Sequence, residues 1–345
     1  MSISHADFLE KDPIQPQVRD EFGSLEVAVV SPMSNPDVYA KAWDLSPDFV
    51  RNQLQSPLSP AEIGSHLQYA DLLRTHDVRL VYPHHPSAPL TAQTLDKWMG
   101  NDIYCRDFLG VVDDSAILSS IWSYRNDARQ YYQRIFERLP ARKKHSTDER
   151  FSWGDALLYG DSVLVGEQHM DYYTDIQSSI TSERFNEVLR TGGEKMAGIR
   201  AIEAIIAQIG SQRRLLRIPM NSNVDLDMCI APLPRRFAGD KRRAIVRTQA
   251  IHQSAPLYDH FDDLLPCLDR YEDIGTNILW INPETPVVSA TAVHTIRLLE
   301  DLGYDVQALN LNAQERQALE GMIGDPGGWR CLTGVLRRAN DYNFD

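Results

Sequence analysis

Short apolar strands come in pairs in this chain, each pair closed by a tight polar turn, with a helical stretch before the next pair. Residues 103–112 and 115–121 flank Asp113-Asp114, and residues 155–159 and 162–166 flank Gly160-Asp161, both turn-forming dipeptides. Residues 25–30 (LEVAVV) read as a first strand closed by the turn SPMSNPD. Residues 61–76 place Ile63, Leu67, Ala70 and Leu73 on one helical face, and residues 78–82 return as a strand. Helices are expected at 125–139, 194–209 and 292–302, and strands at 214–218, 224–231, 244–248, 276–281 and 304–309. Strands this short and this often interrupted do not build a doubly wound sheet, and no GxGxxG loop follows any of them. A strand-pair-plus-helix unit repeated about five times fits α/β modules packed radially around a centre. A three-layer α/β sandwich is the second choice. In the radial arrangement, functional side chains come from the inner strand ends of several modules.

Composition narrows the function classes. The chain has 345 residues, 43% hydrophobic and 24% charged, which is ample core material for a globular enzyme. A formal net charge of −13 argues against a nucleic-acid-binding surface. The start, MSISHADFLEKDPIQ, has no apolar stretch of the secretory kind, and no run approaches the roughly 18 apolar residues of a membrane span. A cytoplasmic protein is therefore expected. Cys105, Cys229, Cys267 and Cys331 are widely spaced with no CxxC pair, so neither a disulfide framework nor a zinc ribbon is expected.

Cys331 lies in GGWRCLTGVLRR, residues 327–338. Glycines allow a tight backbone there, and the neighbouring Arg330 favours a thiolate, the reactive form of cysteine. A buried thiol acting as a small hydrophobe is the plainer reading.

Six segments, in order, give the chain a resemblance to a known family. They are FGSLEVAVVSPM (residues 22–33), YCRDFLGVVDDSAILSSIWSYRNDARQYYQRIFERL (104–139), FSWGDALLYGDSVLVG (151–166), VDLDMCIAPL (224–233), GTNILWINPETPVVSATAVHTIRLLEDLGYDVQALNL (275–311) and the Cys331 segment. Together they resemble the arginine:glycine and inosamine-phosphate amidinotransferases of the guanidine-modifying pentein superfamily. The resemblance implies a five-bladed α/β propeller, one domain over residues 1–345, with the site in its central channel. It also implies attack of a cysteine thiolate on a guanidinium carbon, loss of an amine, and capture of the amidino group by a second amine. Carried over by position, Cys331 is the nucleophile, and Asp107 and Asp227 are the carboxylates that hold the cation. A guanidino donor and an amine acceptor are the implied partners. No redox or nucleotide cofactor and no metal are implied, and a homodimer is compatible with the family.

The chain departs from that pattern at two positions. Asp225 stands in Asp225-Leu226-Asp227 where the family has the histidine that moves protons, and Ser152 stands where the family has an acid. Four explanations stay open. Asp225 itself shuttles protons beside Asp227, as paired carboxylates can; another histidine substitutes, with His169 of GEQHMD best placed; the chemistry is altered; or the chain binds a ligand without turning it over. Thr276 and Asn277 stand at a substrate-contacting turn of the family, and Arg330 and Arg337 are candidates for a substrate carboxylate or phosphate. Arginines of this kind are also ordinary surface charges. Cys105 and Cys229 each lie two residues from an aspartate, so on strands each pair would share a face. Three converging thiols would then invite a metal, but the spacing matches no zinc motif. Residues 167–193 exceed the family's usual connection, show only short helical runs, and are expected to form a lid over the channel or a surface excursion.

Overall fold

The computed structural model describes residues 14–30, 60–83, 104–121, 126–210, 212–222, 224–310 and 328–342. The expected turn at 31–37, the start of the strand at 103 and Gly327 lie outside these residues.

In chain order the elements are β1 (Leu25–Val30), α1 (Pro60–Thr75), β2 (Arg79–Val81), β3 (Leu109–Val112), β4 (Ser115–Ser120), α2 (Asn126–Arg138) and β5 (Lys143–Arg150). There follow β6 (Ala156–Tyr159), β7 (Ser162–Gln168), α3 (Met170–Gln177), α4 (Ser182–Ile209), β8 (Arg214–Met220), β9 (Ile230–Leu233), β10 (Arg243–Val246) and α5 (Leu257–His260). The chain continues with β11 (Asp263–Pro266), β12 (Leu279–Asn282), β13 (Thr285–Ser289), α6 (Val293–Asp301), β14 (Gln307–Leu309) and β15 (Thr333–Arg338).

These strands form five three-stranded sheets among the described residues, in the orders β3-β4-β5, β6-β7-β8, β9-β10-β11, β12-β13-β14 and β15-β1-β2. Each sheet is built the same way: an antiparallel pair, and a third strand parallel to the middle one. The third, parallel strand requires a crossover, and helices α1, α2, α4, α5 and α6 supply one to each sheet. The fifth sheet joins the two ends of the chain, because β15 pairs with β1. Both expected two-residue turns form: Val112 pairs with Ser115 and Tyr159 with Ser162. Asp113 (φ 55°) and Gly160 (φ 53°) take the left-handed conformation that such turns need.

Burial grades across each sheet. Strands β3, β6 and β9 are buried at every position, which is why LGVV, ALLY and IAPL are apolar throughout and do not alternate. The outer strand β5 (KKHSTDER) has no buried position. It carries no apolar signal, and it is absent from the sequence-based reading for that reason.

The strands expected at 103–112 and 224–231 begin later, at 109 and 230, and those expected at 276–281 and 304–309 begin at 279 and 307. Residues 105–107 and 226–228 are single 3-10 turns, followed by the strands β3 and β9. The same turn precedes β6 (Trp153–Asp155) and β12 (Tyr271–Asp273). An aspartate in each of these turns competes for backbone N–H groups and favours a turn over a ladder. The shared-face argument for Cys105 with Asp107 and Cys229 with Asp227 therefore fails. Tyr132 donates its hydroxyl to the Cys105 sulfur at 3.4 Å, and the Cys229 sulfur contacts Ser222 at 3.7 Å.

The 167–193 segment is mainly helical. Thr181 caps α4 by accepting from the Arg184 N–H, and α4 runs unbroken through residues expected to be irregular. Polar composition hides a helix whose first turns are largely exposed.

Because β15 supplies a whole edge of the sheet that holds β1, a chain ending at residue 328 is expected to lose its cooperative thermal transition. A wild-type melting curve by circular dichroism would refute that dependence.

Candidate active site

Four 3-10 turns and the 328–332 segment each precede the first strand of a sheet, with Tyr271–Asp273 set back from β12 by residues 274–278. They therefore share the strand end opposite the hairpin turns Asp113-Asp114 and Gly160-Asp161. Cavities of about 360 and 560 Å3 lie at the hairpin end, lined in part by those turns. The thiol lies at the other.

Cys331 is 5% exposed. Its backbone carbonyl accepts the Arg106 N–H at 3.1 Å, which fixes the Cys331 segment against the turn that carries Asp107. Asn277 donates its side-chain N–H to the sulfur at 3.0 Å and accepts the Arg330 N–H through its oxygen at 3.1 Å. Gly328 is required beside it, since a Cβ there would sit 2.3 Å from the Asn277 oxygen. Asn277 thus contacts the thiol itself, where the sequence pattern had suggested a substrate contact. Thr276 is fully buried, and its hydroxyl has no hydrogen-bond partner among the described residues.

The sulfur lies 3.7 and 3.9 Å from the two oxygens of Asp227, which is 0% exposed. Burial pushes the Asp227 carboxyl up to about 7, even though Arg330 and Arg106 lie 3.8 and 3.7 Å from it and pull it down. Cys331 itself is pushed well above the usual thiol range, first by burial and then by Asp227 and Asp107. These surroundings favour the protonated thiol.

Below this pair lies a buried ionic cluster. Glu21 meets Arg106 at 3.0 Å and Arg330 at 2.8 Å and accepts the Leu158 N–H at 3.2 Å. Burial alone would raise the Glu21 carboxyl, but Arg106, Arg330 and Arg338 hold it down at about 2. Arg330 is 2% exposed and committed to Glu21 and Asp227. That burial corrects the expectation of a surface charge. Arg337 pairs with Glu26 at the half-exposed surface.

Ser152 links the remaining carboxylates. Its hydroxyl lies 3.1 Å from Asp107 and 2.9 Å from Asp225, and it accepts the Gly154 N–H at 3.1 Å. A hydroxyl has one hydrogen, so both carboxylate contacts are hydrogen bonds only when one carboxyl carries a proton. Gly154 permits the approach, because a Cβ there would stand 2.3 Å from Asp225.

His169 caps α3 by accepting the Asp171 N–H at 3.2 Å and stacks on His252 with ring centres 3.7 Å apart. His252 in turn contacts Asp171 at 3.0 Å and Ser254 at 2.8 Å. The contacts of His169 are with this cluster, and none of them joins it to Asp225. Among the described residues, His169, Asp171 and His252 are the one group of three such side chains gathered tightly enough to suit a metal ion. Nδ1 of His169 is engaged in the α3 cap, and both ring nitrogens of His252 contact Ser254 and Asp171.

Sequence reasoning missed Glu21, Arg106, Asp155 and Lys195. Lys195 left a trace: the buried positions of α4 include 195, 199, 202, 206 and 209, a helical stripe with a lysine at one apolar place.

No family model matches the sequence, and no curated protein does. The likeness is in three dimensions. The chain has the fold shared by solved amidinotransferases and by hydrolases of arginine and dimethylarginine. One is the inosamine-phosphate amidinotransferase of Streptomyces griseus, with a TM-score of 0.63 and 15% identity over 96% of this chain and 99% of that one. A second is an amidinotransferase of saxitoxin biosynthesis from Microseira wollei, with a TM-score of 0.57 and 14% identity over 95% of this chain and 99% of the other. A third is the dimethylarginine dimethylaminohydrolase of Pseudomonas aeruginosa, with a TM-score of 0.57 and 15% identity over 90% of this chain and 99% of the other.

Two pH dependences follow. Glu21 falls from an ordinary 4.5 to about 2 in the fold, so it stabilises above about pH 4.5, by about 3 kcal/mol. That contribution is lost as the pH drops towards 2, and Glu21→Gln should lack it. Urea titrations at pH 3 and 6 check this: a constant wild-type-minus-variant difference would sink it. Asp227 has the opposite sign, rising from 3.8 to about 7. Its ionisation weakens the empty fold between those values, so Asp227→Asn should melt higher than wild type at pH 8 and not at pH 4.

Proposed function

We propose that the protein is a guanidine-modifying enzyme of the amidinotransferase type, acting through a covalent adduct on Cys331. The observation that carries this reading is the Cys331 sulfur 3.7 Å from the fully buried Asp227, in a site where Asp107 also bears on the thiol. On this reading the five sheets are blades of an α/β propeller formed by one domain, and the site opens into its central channel.

The electrostatics call for a cation. Carboxylates beside a buried thiol oppose its ionisation, so the empty site is inert. A guanidinium held by Asp107 and Asp227 reverses that balance: its positive charge lowers the thiol and Asp227 together and releases a proton. The thiolate then attacks the guanidinium carbon, giving a neutral tetrahedral adduct. A proton passes to the departing nitrogen, the C–N bond breaks, and a cationic amidino group stays on sulfur. A second amine attacks that carbon and gives up a proton, and the C–S bond breaks to return the thiolate and a new guanidinium. Asp225, bridged to Asp107 by Ser152, is the proton carrier in place of an imidazole.

Support comes from neighbours of the same fold. Two are amidinotransferases, and the N-terminal domain of the arginine dihydrolase ArgZ has been solved covalently bound to a reaction intermediate. Hydrolysis differs only in water replacing the second amine. The resemblance of residues 104–139 to the transferases favours the amine.

Intact-protein mass spectrometry with arginine and related guanidines tests the reading. A mass gain of one amidino group that disappears in Cys331→Ser is expected, and its absence with every guanidine would overturn the proposal. Cys331 should also react at least about tenfold faster with a haloacetamidine than with neutral iodoacetamide, by analogy with cation pairing at desolvated carboxylates. Asp107→Asn and Asp227→Asn should each erase that preference. Equal, slow labelling of wild type would instead indicate a binding protein.

A further inference from the structure

His169, Asp171 and His252 take no part in the chemistry above, yet their ligand atoms all lie within 4.8 Å of one another. The backbone fixes both histidines. The His169 N–H donates to the Met220 carbonyl at 2.8 Å, and the His252 N–H donates to the Pro219 carbonyl at 2.9 Å. Two segments far apart in the chain are thus anchored on consecutive residues at the end of β8. The Asn221 N–H, donating to the Ala250 carbonyl at 2.8 Å, closes the same ladder. The end of β8 pairs with the end of β7, and β7 runs antiparallel to β6. The cluster therefore stands at the strand end that carries the thiol.

We propose that His169, Asp171 and His252 form a site for a divalent transition-metal ion of the zinc class, which clamps α3 to the loop after β10. Oδ2 of Asp171 lies 3.4 Å from Nδ1 of His169 and 3.0 Å from Nε2 of His252. Donors around a tetrahedral zinc stand about 3.3 Å apart, because the metal–ligand bonds are about 2.0–2.2 Å long. Two imidazoles and one carboxylate suit zinc and its neighbours, whereas magnesium and calcium take oxygen donors. Three protein ligands leave a fourth position for water. The Asp171 side chain is 63% exposed, so solvent and an incoming ion reach the site without opening the core.

Ser254 adds a separate observation. Its hydroxyl lies 2.8 Å from Nδ1 of His252. A metal-bound histidine donates its other ring N–H to a partner of this kind, which fixes the tautomer and aims the free lone pair at the ion. The contacts already present are those the ion replaces. Nδ1 of His169 accepts the Asp171 N–H at 3.2 Å, and one lone pair serves one partner. Binding therefore releases that N–H at the start of α3. The contacts of Asp171 with both imidazoles become contacts through the shared ion. None of this involves Cys331 or Asp225, so the site stands apart from the guanidine reading.

The test uses the full chain stripped with a chelator, titrated with Zn2+ by calorimetry and with Co2+ by absorption spectroscopy. Wild type and Cys331→Ser should each bind one ion per chain, and the Co2+ spectrum should carry no thiolate charge-transfer band. His169→Ala and His252→Ala, shown to be folded by thermal melts, should each bind at least about a hundredfold more weakly. Ser254→Ala should lose about tenfold, in the range for a residue that orients a metal-bound imidazole. In wild type the Asp171 amide signal should shift on adding Zn2+, a readout that needs no variant. Absence of binding by wild type overturns the proposal. So does unchanged affinity in folded His252→Ala, or a thiolate band that disappears in Cys331→Ser and so places the ion on the thiol. An unmoved Asp171 amide in the zinc-bound protein overturns the part given to Nδ1 of His169.

Discussion

A single buried carboxylate organises the site. Glu21 joins Arg106 and Arg330, which precede Asp107 and Cys331 by one residue each in the chain. The N-terminal segment, the turn before β3 and the turn before β15 therefore converge on one buried acid. Its neighbours decide whether the cluster holds together, because removing one member of a buried ion set leaves the others uncompensated. Arg106 adds two backbone contacts, to the carbonyls of Trp153 and Ala156, and so draws in the turn before β6 as well.

Above that cluster the site holds more acid than its cations offset. Asp227 lies between two guanidiniums and still keeps its proton to about 7, since burial outweighs their pull. Such a site is poised for a ligand that brings positive charge. On the proposed reading, binding and ionisation are coupled: a guanidinium held by the carboxylates brings the charge that favours the thiolate.

Much of the architecture was legible because it rests on short-range signals. The antiparallel pairs announced themselves through apolar runs across Asp113-Asp114 and Gly160-Asp161. The parallel third strands did not: β5 is polar and unburied, held by its ladder to β4 and by α4 packing over it. Of the site, Cys331, Asp107, Asp225, Asp227, Ser152 and Asn277 were singled out in advance, and the fold places them in one connected region. The burial of Arg330 was not legible because arginines are usually solvated, and nothing local reveals a partner more than 300 residues away. His169 was misread because a lone histidine carries no sign of what it will stack upon.

By itself the sequence determined the strand-pair rhythm, the residue types available for chemistry, and the loss of the histidine that the resemblance would lead one to expect. Tertiary structure decided which charges are buried together, and it showed that Asp155 and Lys195 stand behind Asp225. The physical reason is that ionisation and reactivity depend on distance and desolvation. Both are set by residues brought together from five different turns, and neither is encoded in the neighbourhood of any one of them.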